Sequence, residues 1–167
     1  MPIHEGYLSG CIGDIVALHA RTYAQIAGFG AYFEAKVATE LAEFVGHMPC
    51  EGKRMWLYHE DGRTKGSLIV DGAGEIAHLR WFVLDAKLRE QGIGRQLIEC
   101  AIQFIDARFS EAYLWTFSGL DAARHLYEAN GFTLAQEQPG QQWGTQVTEQ
   151  RFVRQRQWRD AGQPLTR

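Results

Sequence analysis

What this chain of 167 residues lacks narrows its function before any motif is considered. Cysteine is scarce: Cys11, Cys50 and Cys100 are odd in number and form no CxxC pair, which excludes a disulfide-built scaffold. The histidines are scattered without HxxH or HExxH spacing, so no protein-bound metal is expected. Basic charge is not in excess. Seventeen Lys and Arg against twenty Asp and Glu give a net charge of -3, which speaks against life on nucleic acid or on an anionic membrane. No run approaches the roughly 18 apolar residues of a membrane span. The N-terminal MPIHEGYL has no basic patch followed by an apolar stretch, so a cytoplasmic location is expected. A linker is also missing, and residues 1–167 read as one domain with a core over about 4–158 and a tail at 159–167.

What is present is periodic. Ile12 to Ile26 carries Ile12, Ile15, Val16, Leu18, His19 and Tyr23 at helical spacing. After a break at Gly28-Phe29-Gly30, a second stripe follows with Phe33, Val37, Leu41 and Phe44, closed by Gly46 and Pro49. The period then changes. Arg54 to Glu60 and Lys65 to Asp71 read as strands joined at Asp61-Gly62, a strong hairpin signal. A loop at Asp71 to Gly74 leads into Glu75 to Leu84, too apolar at its end for an edge strand. A long helix is expected over Ile93 to Arg108, then a strand over Ala112 to Thr116. Ser118 with Asp121 reads as a capping box for a helix through Tyr127 that ends at Gly131. Phe132 to Glu137 and Gln150 to Trp158 are the last strands, joined by a loop over Pro139 to Thr145. The order describes a mixed α/β sheet with crossover helices, neither a repeat nor a doubly wound fold.

The most informative segment is Val83 to Leu97. A buried strand ends, Arg89 and Gln91 follow in a short loop, and Gly92-Ile93-Gly94 opens a helix. Glycine lets the backbone approach a ligand closely, and the first helical turn leaves amide hydrogens unpaired. Such donors suit phosphate oxygens, and Arg89 and Arg95 add positive charge. The segment is not a Walker loop, which needs GKS or GKT, and Leu97 stands where a dinucleotide fingerprint has its third glycine. Taken alone, a glycine pair at a strand-to-helix turn is also common structural punctuation.

Two motifs together go further. Arg89-Glu90-Gln91-Gly92-Ile93-Gly94 and, beyond an intervening strand, Tyr127-Glu128-Ala129-Asn130-Gly131-Phe132 resemble the GCN5-related N-acetyltransferase (GNAT) superfamily in content, order and spacing. The resemblance extends from about residue 4 to 158. It implies the GNAT fold: a mostly antiparallel sheet of six or seven strands, one of them near the N-terminus, flanked by about four helices and splayed between strands 4 and 5. Within the superfamily, Gly28-Phe29-Gly30 with Phe33-Glu34-Ala35-Lys36-Val37, Leu79-Arg80-Trp81-Phe82 and Leu114-Trp115-Thr116 are similar to the acetyltransferase domain often fused behind MarR-type regulators. No winged helix is present here, so DNA binding is not carried over.

The resemblance implies transfer of the acetyl group of acetyl-coenzyme A to a primary amine of a small molecule, peptide or protein, by direct attack in a ternary complex. It places the pyrophosphate on Arg89 and on the amides of Gln91, Gly92, Ile93, Gly94 and Arg95, and the pantetheine arm along Phe82, Val83 and Leu84. Tyr127 becomes the donor to the departing sulfur; read alone, it is a helix residue packed on the sheet. Glu75 and His78 are candidate bases, although strand alternation points them to opposite faces unless a bulge intervenes. Each also reads as structural, and the proton could pass to water. Glu34, Trp81, Trp115 and Trp143 are the expected acceptor wall, one carboxylate among aromatics suiting a cationic amine. A homodimer through Trp158 or the late strands is compatible with the family. The competing reading is an acyl-CoA sensor that binds without turnover.

Overall fold

Strict alternation in the middle of the chain sends successive side chains to opposite faces, which requires cover on both. The computed structural model describes residues 3–156. Its elements run β1 (Ile3–Glu5), α1 (Cys11–Ala27), α2 (Ala31–Gly46), β2 (Lys53–Glu60), β3 (Arg63–Ala73), β4 (Ile76–Leu84), a single 3-10 turn at Ala86–Leu88, α3 (Ile93–Arg108), β5 (Glu111–Phe117), α4 (Asp121–Ala129), β6 (Thr133–Gly140) and β7 (Val147–Gln155). The strands form one seven-stranded sheet in the order β1-β2-β3-β4-β5-β7-β6. Every pairing is antiparallel except β4 with β5. This is the GNAT fold expected from the sequence.

The two sheet faces bury separate cores. Trp56 and Tyr58 of β2 with Leu68 and Val70 of β3 pack under α3. The intervening Met55, Leu57 and Ile69 pack under α1 and α2, against Ile15, Phe33, Val37 and Leu41. The hairpin turn falls at Asp61-Gly62, both with positive φ (52° and 71°), as a primed turn requires.

Three expectations need correction. The loop at Asp71 to Gly74 is mostly strand, since β3 runs through Ala73 and the turn is only Gly74 and Glu75. Ser118 does not cap a helix. Its amide still bonds Thr148 of β7 (3.0 Å), Gly119 then turns the chain at φ 100°, and α4 starts at Asp121 behind Leu120 with no side-chain cap. Pro139 lies in β6 and not in a loop. Because β6 is the outermost strand, a residue without N–H is tolerated there. Trp158 and the tail at 159–167 lie outside the described residues.

β4 is the element that positions the site. It pairs with β5 only at Ile76, Ala77 and His78, after which the two strands part. On its other edge it stays with β3 through Leu84, but with a bulge: Leu68 alone stands against Trp81 and Phe82. Trp81 takes a left-handed φ of 50°, and Ser67 Oγ donates to its carbonyl at 2.7 Å. The extra residue shifts the parity of the strand. Ala77 and Leu79 join the α3 core before the bulge, Phe82 and Leu84 after it, and Trp81 turns to the other face against Phe44.

The close approach of Gly72 to its neighbours yields a stability prediction. Its amide donates to Gly52 O at 2.8 Å, and a Cβ would overlap the Phe109 ring and stand 2.7 Å from the Gly52 carbonyl oxygen. Gly72→Ala is therefore expected to cost about 1–3 kcal/mol, the range for overpacking a filled core. Chemical denaturation reads this directly; unchanged stability would contradict the packing described.

Candidate functional site

Where β4 leaves β5, the gap opens into a cavity of about 300 Å³. One wall is β4 from His78 to Phe82, its edge open beyond His78, and the other is Leu114 to Phe117 of β5. α1 and α2 close it with His19, Tyr23, Phe33, Lys36 and Glu40, while Tyr127 and Leu120 enter from α4 and its approach, and Trp143 from the β6–β7 loop.

Tyr127 sits in the last turn of α4, 7% exposed, held by ring contacts with Phe82, Phe132 and Phe152 at 6.0–6.1 Å. Burial pushes its phenol well above the usual tyrosine range, and the nearby Tyr23 phenol adds to that. Tyr23 is itself raised by burial and lowered by the charge of Arg89. The α1 tyrosine thus lies electrostatically between the arginine of the glycine loop and Tyr127.

The glycine loop that opens α3 is exposed. Arg89, Gln91, Gly92 and Arg95 are exposed, and Ile93 is buried as the first apolar anchor of α3. Gly92 occupies the N-cap with φ 79° and no side chain caps the helix, so its first amides are left for another partner. Glu90 also has positive φ (63°). A Cβ on Gly92 would meet nothing within 4 Å, whereas one on Gly94 would touch Leu126 (3.4 Å) and Phe82 (3.5 Å). Gly94 therefore brings the helix start against Phe82, which lines the cavity. Val83 and Leu84 continue along the same strand edge, Val83 buried and Leu84 partly so. Arg95 is engaged with Glu99 on the helix surface at 3.2 Å.

The two candidate bases are not brought together. Glu75 lies in the β3–β4 turn outside the cavity, where its carbonyl accepts from Ser110 and Glu111 and its carboxylate from Ser110 Oγ (3.3 Å). The register is regular between Ile76 and Arg80, so no bulge reorients His78 toward it. His78 does line the cavity, its ring stacked on Tyr113 at 4.4 Å. Its pKa falls to about 4, first through burial and then through the charge of Arg80. Trp81, Trp115 and Trp143 all reach the cavity; Glu34 does not, being exposed one residue past the buried Phe33. The carboxylate at the cavity is Glu40, held by Lys36 at 2.9 Å and Arg80 at 2.6 Å.

His19 was legible only as part of a helical stripe, yet it is the most constrained polar group of the site. It is 5% exposed and lines the cavity. Its Nδ1 donates to the Ile15 carbonyl at 2.8 Å, which fixes the tautomer and leaves Nε2 with a lone pair. Burial lowers its pKa to about 4, with the Ile15 bond opposing. Sequence could have flagged it, because a histidine in the middle of an otherwise apolar stripe needs a reason to be buried.

Among the described residues, no group of three or more His, Cys, Asp or Glu is arranged to hold a metal. No described helix is long and apolar enough to cross a membrane.

The buried neutral rings predict an acid-labile fold. For His19 the folded pKa of about 4 lies below the unfolded value of 6.5. The full contribution to stability is therefore present above pH 6.5 and is lost as pH falls toward 4, when the unfolded chain takes up a proton that the folded one refuses. The loss from His19 is about 3 kcal/mol, and His78 adds to the same slope. Denaturation at stepped pH should show this decline, and His19→Gln should flatten it; an identical slope in the variant would contradict the assignment.

The geometry can now be set beside known proteins. The family model described as an acetyltransferase (GNAT) domain matches residues 51–134. A ribosomal-protein alanine N-acetyltransferase of Escherichia coli is similar in structure, with a TM-score of 0.67 at 18% identity, covering 98% of this chain and 99% of that one. An acetyltransferase of Streptococcus agalactiae has a TM-score of 0.70 at 16% identity, covering 93% and 99%. A spermidine N-acetyltransferase of Vibrio cholerae reaches 0.62 at 17% identity, covering 93% and 95%. At these identities the likeness is one of fold. No curated protein sequence matches the chain. The family match starts just before β2, takes in the glycine loop and the Tyr127 motif, and ends inside β6, and on that ground the chain belongs to the acetyltransferase (GNAT) domain family.

Proposed function

We propose that the chain transfers the acetyl group of acetyl-coenzyme A to a primary amine, with both bound at once. The observation that carries this reading is the continuity from the exposed start of α3, through Gly94 and Phe82, into a cavity that contains Tyr127. The residues fit such a donor. Uncapped amides from Gln91 to Arg95, with Arg89 beside them, suit a diphosphate. The edge of β4 at Phe82, Val83 and Leu84 has no β5 partner and can pair with an extended amide-bearing arm. The coenzyme would supply an activated acetyl thioester at the gap.

The chain's own residues supply position and proton management. Burial at the cavity, which already holds His19 and His78 neutral, disfavours a protonated amine there and so favours the form that can attack the carbonyl. Tyr127 stays protonated because burial disfavours its phenolate. A phenol held so high is a weaker acid than a leaving thiol, so its part is a hydrogen bond to the developing thiolate. The new C–N bond forms as C–S breaks, and the proton shed by the amine balances the thiolate. Nε2 of His19 offers an acceptor for an amine N–H inside the cavity. Glu75, outside the cavity, is not assigned a part. The stretches that resemble the MarR-fused domains supply Phe29, Phe33, Lys36, Trp81 and Trp115 to the same cavity, which favours shared acceptor chemistry with that group.

Two measurements test the reading. Tyr127→Phe should lower kcat by about a hundredfold to a thousandfold, as removing a transition-state donor does. An unchanged chemical step would remove that role. Gly92→Val, strained at φ 79° at the N-cap beside the free amides, should weaken coenzyme A binding at least about tenfold. Unaltered affinity by calorimetry in the folded variant would overturn the diphosphate assignment.

A further inference from the structure

The charges around the cavity say what kind of amine it takes, given the reading above that this cavity receives the acceptor. Glu40 is the one carboxylate among its described lining residues. Both of its oxygens are taken, Oε1 by Lys36 Nζ at 2.9 Å and Oε2 by Arg80 Nη2 at 2.6 Å. Arg80 also stands 3.7 Å from Asp71, which is itself bonded to Lys53. Cations therefore outnumber anions along this chain of ion pairs. His78 adds no compensating charge, being neutral, and neither does His19. A polycation entering here would meet a carboxylate already paired with two cations, Lys36 and Arg80. A carboxylate entering would find Lys36 with a single ion-pair partner, at a half-exposed position able to take a second.

The rest of the lining includes an apolar patch. Phe29, Phe33, Phe117 and Trp143 form a continuous set of ring contacts, with centroids 4.9 Å apart for Phe29–Phe33, 5.2 Å for Phe29–Phe117 and 5.7 Å for Phe117–Trp143. At about 300 Å³, the cavity suits a molecule of amino-acid size. We infer that the acceptor is a small primary amine with an apolar, ring-sized body and an anionic group, and that Lys36, beside Arg80, receives the anion while the aromatic wall receives the body.

Matched pairs test this: phenylalanine against phenethylamine, para-(aminomethyl)benzoate against para-methylbenzylamine, with spermidine as the polycation. Binding is followed by tryptophan fluorescence from the cavity, in protein first titrated with coenzyme A, and thiol release is recorded separately. At least one carboxylate member should bind about tenfold or more tightly than its carboxylate-free partner. Lys36→Gln, on an accessible helix face, should erase that difference without changing the fold by circular dichroism. Equal or tighter binding of the carboxylate-free members or of spermidine overturns the inference, as does a preference that survives Lys36→Gln. If coenzyme A itself fails to bind, the acetyl-transfer reading falls. If coenzyme A binds and spermidine is acetylated while the amino carboxylates are ignored, that reading stands and the acceptor assignment falls.

Discussion

The site depends on one interruption in backbone pairing. β4 and β5 share hydrogen bonds at Ile76, Ala77 and His78 and nowhere beyond. Further along, β4 lies in the middle of the sheet with helices on both sides, where unpaired N–H and C=O groups are costly. The bulge at Trp81 limits that cost by giving the Trp81 carbonyl to Ser67 while β3 keeps hold of the other edge. What remains is a row of open backbone groups facing a gap, stable enough to fold. The cavity, the glycine loop and Tyr127 all take their places from where that gap opens.

Much of this frame was legible in sequence because it follows from period and punctuation. The expected bounds of α3 coincide with the observed Ile93–Arg108, and Asp61-Gly62 turns as anticipated. Both signals are local. The parting of β4 from β5 is not local, since nothing in Leu79 to Leu84 records which neighbour a strand has lost. β1 was invisible for a simpler reason: three residues, Ile3–Glu5, are too few to display a period, and their place is set by pairing with Trp56 to Tyr58. Ser118 misled because the capping pattern was present but its backbone was already committed to β7.

Among the site residues, Glu34 is the instructive miss. The stripe Phe33, Val37, Leu41 and Phe44 marks the buried face of α2, and residues beside Val37 are the ones that reach the cavity edge. Lys36 and Glu40 flank it as an i,i+4 pair, whereas Glu34 has rotated away to solvent. A carboxylate chosen for its chemistry, without asking which face it occupies, was placed on the wrong side of the helix. The three tryptophans were easier, because Trp81 and Trp115 lie on the two strands that part.

Desolvation links these observations to chemistry. His19, His78, Tyr23 and Tyr127 all have pKa values displaced toward the neutral form, each with burial as the largest cause. The cavity thus holds four polar side chains without a formal charge, and its ionic groups are drawn into the Lys36–Glu40–Arg80 network. The burial that holds the two histidines neutral would act in the same direction on any amine brought beside them, because desolvation disfavours the protonated form. Keeping those groups neutral has its price in the fold, which loses stability as pH falls below the unfolded histidine value and the unfolded chain takes up protons the folded one refuses.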